Sequence, residues 1–111
     1  MDIKNSKEKY AKTVGIENLD LAPIEKSVEI LKSGKVYFEF RTTVIKEFHE
    51  VDDFEKIGQW IKGAPRYFLQ GFTDSGNLIR ENMNPVDKET MLKMRDKALD
   101  FVDLCEIRGV D

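Results

Sequence analysis

Val36-Tyr37-Phe38-Glu39-Phe40-Arg41-Thr42-Thr43-Val44-Ile45 is the longest run of strand-forming residues in the chain. It is rich in β-branched and aromatic types and follows Ser33-Gly34. In an extended backbone Val36, Phe38, Phe40, Thr42 and Val44 share one face, and Tyr37, Glu39, Arg41, Thr43 and Ile45 share the other. The first face is almost wholly apolar and belongs against a core. The second sets a carboxylate, a guanidinium and a hydroxyl in a row. Pattern alone leaves two arrangements open for it. A central strand would need a buried partner or ligand for Glu39 and Arg41; an edge strand would have one solvated face and an ordinary cross-strand Glu–Arg pair.

Working outward, helices bracket this strand. Residues Ser6 to Val14 predict a short polar helix, with Ser6 as N-cap and Gly15 placed to end it. Pro23 is tolerated only in a first helical turn, so a second helix starts near Leu21 or Ala22, carries Ile24, Val28 and Leu31 on one face, and stops at Gly34. After the strand, Asp52-Asp53-Phe54-Glu55 has the spacing of a capping box with Asp52 as cap, and Phe54, Ile57 and Ile61 form an apolar stripe closed by Gly63. Gly58 within that helix costs up to about 1 kcal/mol against alanine, a sign of close packing.

Pro65 opens a second strand, Arg66 to Phe72, in which Phe68, Gln70 and Phe72 oppose Tyr67 and Leu69. Thr73 to Val86 is a polar connection holding the turn signal Asp74-Ser75-Gly76-Asn77. Asp87 caps a last helix with Met91, Met94, Ala98 and Phe101 on one face, the methionines read as core filler. Leu104, Cys105 and Ile107 mark a final strand, and Met1 to Lys4 could supply a very short first one. Strands alternating with helices at these lengths predict an α/β fold with a mainly parallel sheet, and functional groups at the carboxyl ends of its strands.

A length of 111 residues predicts one domain spanning 1–111. A net charge of -3 gives no cationic footprint for nucleic acid or an anionic membrane, and no apolar run approaches a transmembrane span. Cys105 is the only cysteine and His49 the only histidine, so an internal disulfide is impossible and a reducing cytoplasm is the expected location. Neither residue alone can build a metal site.

Phe40-Arg41-Thr42-Thr43-Val44, the following loop His49, Ile57-Gly58-Gln59-Trp60-Ile61-Lys62-Gly63-Ala64 and Tyr67-Phe68-Leu69-Gln70-Gly71-Phe72 occur in an order and spacing that resemble the C-terminal half of radical S-adenosylmethionine activating enzymes. The nearest branch is the anaerobic ribonucleoside-triphosphate reductase activating proteins, with the pyruvate formate-lyase activating enzymes related to it. Asp2-Ile3-Lys4 fits the Asp-x-Lys at the end of a barrel strand, so the resemblance runs from Met1 to about Val110. It implies the last βα units of a partial (β/α)6 barrel, with helices on one face of the sheet. It also implies an oxidoreductase parent that binds S-adenosylmethionine and a 4Fe–4S cluster and abstracts a hydrogen from a glycine of a glycyl-radical partner enzyme.

Carried over, Asp2 and Lys4 would lie beside the methionyl end of the cofactor, Lys4 facing its carboxylate and Asp2 orienting it. Arg41 would point into the barrel lumen, with Glu39, Thr43 and Gln70 on the same side, and His49 would sit in the loop beyond, either solvated or capping or in contact with the cofactor. Gln70 stands where the pyruvate formate-lyase branch has an aromatic-His pair. The chain departs from the family in lacking both Cys-x3-Cys-x2-Cys and the Gly-Gly-Glu segment. The expectation is therefore a piece of such an activase, inactive alone and holding neither cofactor stably. The competing expectation is a stand-alone interaction module without radical chemistry; an open sheet edge and an uncovered apolar face would favour a homo-oligomer in either case.

Overall fold

The computed structural model describes residues 1–33, 38–72 and 83–109. The chain opens with a 3-10 turn at Lys7–Lys9 that runs into α1 (Tyr10–Val14), followed by α2 (Ala22–Lys32). Then come β1 (Phe40–Val44), α3 (Val51–Trp60), β2 (Tyr67–Gly71), α4 (Lys88–Leu99) and β3 (Cys105–Arg108). Among the described residues the three strands form one parallel sheet in the order β1-β2-β3. The fold is α/β, as the alternation of elements predicts. The glycine and turn signals at Gly34 and Asp74 to Asn77 lie outside the described residues.

Several local signals act as expected. Gly15 ends α1 with φ 76°, a left-handed conformation that costs a side chain dearly. Pro23 sits in the first turn of α2, and Asp87 caps α4, its carboxylate accepting from the Thr90 amide and hydroxyl. Two expectations need correction at helix starts. Ser6 stands at the N-cap position of the 3-10 turn, but its buried hydroxyl makes no capping hydrogen bond. The α3 cap is Glu50 rather than Asp52: Asp53, at the third helical position, accepts the Glu50 N–H at 2.8 Å, and Lys9 Nζ lies 2.9 Å from the same carboxylate oxygen. An ammonium supplied from a distant turn selects one of two overlapping acidic patterns.

Among the described residues the helices pack against one face of the sheet. Phe40, Thr42, Val44, Tyr67, Leu69 and Cys105 point into the core, where they meet Phe54 and Ile57 of α3, Ile61 just beyond it, and Met91, Met94 and Ala98 of α4. Gly58 is packed against Phe101, just beyond α4, so closely that an added Cβ would lie 2.5 Å from the ring. The N-terminal helices join the far side of α3: the Tyr10 and Trp60 rings meet edge to face, and Lys32 Nζ donates to the Trp60 carbonyl.

Arg41, Thr43, Glu106 and Arg108 project from the opposite face and are exposed. That face is charged, which corrects the expectation of an uncovered apolar one. No helix among the described residues is long and apolar enough to cross a membrane.

Candidate functional site

The Met1–Lys4 segment lies beside β1 on the side away from β2. Its backbone pairs in parallel through Arg41 N–H to the Met1 carbonyl (3.0 Å) and Ile3 N–H to the Arg41 carbonyl (2.7 Å). A buried relay reinforces the pairing. Thr42 Oγ1 donates to the Ile3 carbonyl at 2.6 Å and sits 2.5 Å from the Tyr67 hydroxyl, and Ile3, Thr42 and Tyr67 are all essentially inaccessible. Because Ile3 turns inward, period two turns Asp2 and Lys4 out onto the charged face.

There Arg41 Nε donates to Asp2 Oδ1 at 2.6 Å, and Lys4 Nζ stands 3.5 Å from Asp2 Oδ2. The hydrogen bond from Arg41 holds the Asp2 carboxyl below the ordinary carboxylate range against a smaller opposing effect of burial. The arrangement is two cations around one carboxylate, all about half exposed.

Glu39, Thr43 and Gln70 share this face. Thr43 and Gln70 are register partners on β1 and β2. Glu39 meets Arg108 of β3 at 3.6 Å, and the Arg108 guanidinium lies 3.5 Å above the centroid of the Phe68 ring between them. The cross-strand partner of Glu39 is thus Arg108, while Arg41 takes Asp2. Gln70 packs against Gly109, where φ is 73° and a Cβ would come within 2.3 Å of the Gln70 amide nitrogen. Arg108 escaped the sequence reading, although alternation from inward Cys105 and Ile107 puts it on the Gln70 side.

His49 is elsewhere. It is buried at the carboxyl end of β1, 4% exposed, with Nδ1 accepting the Ile45 N–H at 3.0 Å and Nε2 donating to the Lys4 carbonyl at 2.8 Å. Burial pushes its imidazole below the ordinary value, so it is neutral. A cavity of about 400 Å³ lined by His49, Glu50, Val51, Val86 and Met94 adjoins it, as does a polar one of about 180 Å³ lined by Lys9, Lys12, Thr13 and Lys46. The sequence-predicted residues therefore divide: Asp2, Lys4, Glu39, Arg41, Thr43 and Gln70 gather on the sheet face, and His49 lies behind it, bonded to backbone and packed beside the Phe54 ring.

The cations Lys4 and Arg41 beside Asp2 suit an amino-acid carboxylate and ammonium, the donor and acceptor set that the methionyl end of S-adenosylmethionine requires. An iron–sulfur cluster does not fit. Cys105 is buried under the helices with its thiol pushed up to about 12, and among the described residues no three or more His, Cys, Asp or Glu side chains are grouped to hold a metal. Comparisons with protein-family models, curated proteins and solved structures return no match.

Proposed function

We propose that the chain is the C-terminal portion of a radical S-adenosylmethionine activase, the parent enzyme of which generates a glycyl radical on a partner such as anaerobic ribonucleotide reductase or pyruvate formate-lyase. The observation that carries this reading is the docking of Asp2-Ile3-Lys4 in parallel beside β1, which brings Asp2, Lys4 and Arg41 together on the charged face of the sheet. In a partial (β/α)6 barrel the helices lie outside and the charged face lines the lumen, and the one-sided βα units here have that polarity.

On this reading Lys4 and Arg41 receive the carboxylate of the methionyl group while Asp2 orients its ammonium. Glu39, Thr43 and Gln70 form the neighbouring wall. S-adenosylmethionine, when bound to the complete enzyme, supplies the group that abstracts hydrogen from the partner's glycine. With Cys105 its single cysteine, the chain cannot hold the cluster that would supply the electron, so on this reading it performs no radical step alone. On this reading the isolated chain self-associates through the edge beside Met1–Lys4 or the sheet face that further barrel units would cover, which light scattering across a range of concentrations would register as a homodimer or larger assembly.

The reading frame upstream of the first codon tests the assignment. A continuous frame encoding Cys-x3-Cys-x2-Cys supports it. An in-frame stop followed by a ribosome-binding site contradicts it and leaves the stand-alone interaction module.

A further inference from the structure

Main-chain pairing between the N-terminal segment and β1 ends at Ile3; among the described residues no backbone–backbone bond ties Lys4 or Asn5 to that strand. Side chains take over there, in both directions. His49 Nε2 donates to the Lys4 carbonyl at 2.8 Å, and Asn5 Nδ2 donates to the Phe48 carbonyl at 2.8 Å. Each side chain is fully engaged. His49 Nδ1 accepts the Ile45 N–H, which requires that this nitrogen carry no proton and fixes the proton on Nε2. Asn5 also donates to Thr13 Oγ1 at 3.0 Å and accepts the Ser6 N–H at 2.8 Å. Asn5 is 0% exposed and His49 4%, so water does not compete for these bonds. The Tyr10 hydroxyl also meets the Lys4 backbone.

We propose that His49 and Asn5 are a positioning pair: they hold the Lys4 backbone at the carboxyl end of β1 and so set where Asp2 and Lys4 stand relative to Arg41. That these three side chains meet a cofactor rests on the proposed function; the positioning does not. His49 reaches the charged face only through the backbone it anchors, which is why a histidine with no side chain on that face still governs its geometry. A glutamine at position 49 offers one acceptor and one donor on a single amide and can reproduce both bonds. A leucine offers neither.

The test follows the Asp2 carboxyl by carbon-detected NMR titration, because its midpoint reports the Arg41 bond, and sets this beside thermal unfolding. His49→Leu is expected to raise the Asp2 midpoint by about half a pH unit, roughly a threefold change in proton affinity, whereas His49→Gln keeps it near that of the parent chain. An unchanged midpoint in His49→Leu, or an equal shift in both variants, overturns the proposal, whatever either does to stability. Should His49→Leu fail to fold, Asn5→Ala probes the other half of the exchange: the same upward shift supports the pair and an unchanged midpoint overturns it. None of these readouts involves S-adenosylmethionine, so failure of cofactor binding in the parent chain counts against the proposed function alone.

Discussion

Replacing Thr42 by valine should be among the most damaging conservative changes in this chain. The hydroxyl has one proton, and it goes to the Ile3 carbonyl at 2.6 Å, so the Tyr67 hydroxyl must be the donor to Thr42 Oγ1. Valine preserves the branched shape and removes only the relay. It leaves the Tyr67 O–H and the Ile3 carbonyl without that partner at a site where Thr42 is 1% and Tyr67 0% exposed. Each buried group left unpaired costs about 1–3 kcal/mol, giving about 2–6 kcal/mol for the two groups exposed by Thr42→Val. Tyr67→Phe takes away the donor together with its need for a partner, and Thr42 keeps its bond to Ile3; about 0.5–1.5 kcal/mol is expected. At about 4–8 °C per kcal/mol for a domain of this size, the two variants should separate by several degrees in Tm. Urea unfolding read by tryptophan fluorescence should show the order parent, Tyr67→Phe, Thr42→Val with unchanged m-values. A Thr42→Val midpoint equal to or above that of Tyr67→Phe would refute the relay and with it the strongest tie of the Met1–Lys4 segment to the sheet.

Three further outcomes follow from the packing and protonation. Gly58→Ala gains up to about 1 kcal/mol of helix propensity, but its Cβ would meet the Phe101 ring and also Phe101 Cγ and Cβ at 3.2 and 3.3 Å, which ring rotation cannot clear. Overpacking of about 1–3 kcal/mol should win, and a more stable variant in urea would contradict the contact. Burial depresses His49 in the folded chain, with Asp53 pulling up and Lys9 down more weakly. The unfolded chain therefore binds the extra proton first, and stability contributed by neutral His49 is full above about pH 6.5 and declines as pH falls below it. His49→Gln should flatten that segment of the urea-midpoint profile, and an identical slope would show that the imidazole stays solvated. Cys105, buried with its thiol raised to about 12, should resist an aromatic disulfide reagent until urea unfolds the chain; rapid stoichiometric labelling of the native protein would contradict its burial.

Much of this architecture is legible because local rules and the tertiary structure agree. Gly15, Pro23 and Asp87 each mark a helix boundary by backbone chemistry that needs no distant partner. The period-two division of the Phe40–Val44 segment holds because, among the described residues, α3 and α4 pack on one face of the sheet and the β1 side chains on the other are exposed. The errors arise where a remote group decides. Glu50-Val51-Asp52-Asp53-Phe54-Glu55 offers two acidic pairs at cap spacing, and Lys9, brought in from the first turn, favours the earlier one.

The candidate residues divide in the same way. Alternation alone places Glu39, Arg41, Thr43 and Gln70 on one side, and Asp2 and Lys4 join them once Ile3 is seen to turn inward. The inward placement of His49 had no local signal, since a histidine in a polar loop is read as solvated until the Lys4 carbonyl is in place to receive its proton. Asn5 was missed for the same reason: its burial depends on the Phe48 carbonyl arriving from another unit.

The most direct test of the central claim is a residue-resolved NMR titration of the chain with S-adenosylmethionine. Weak, saturable shifts concentrated at Asp2, Lys4, Arg41 and Thr43, and abolished for Arg41→Ala, are expected. No shifts at millimolar ligand, or shifts confined to the cavities around His49, would contradict it.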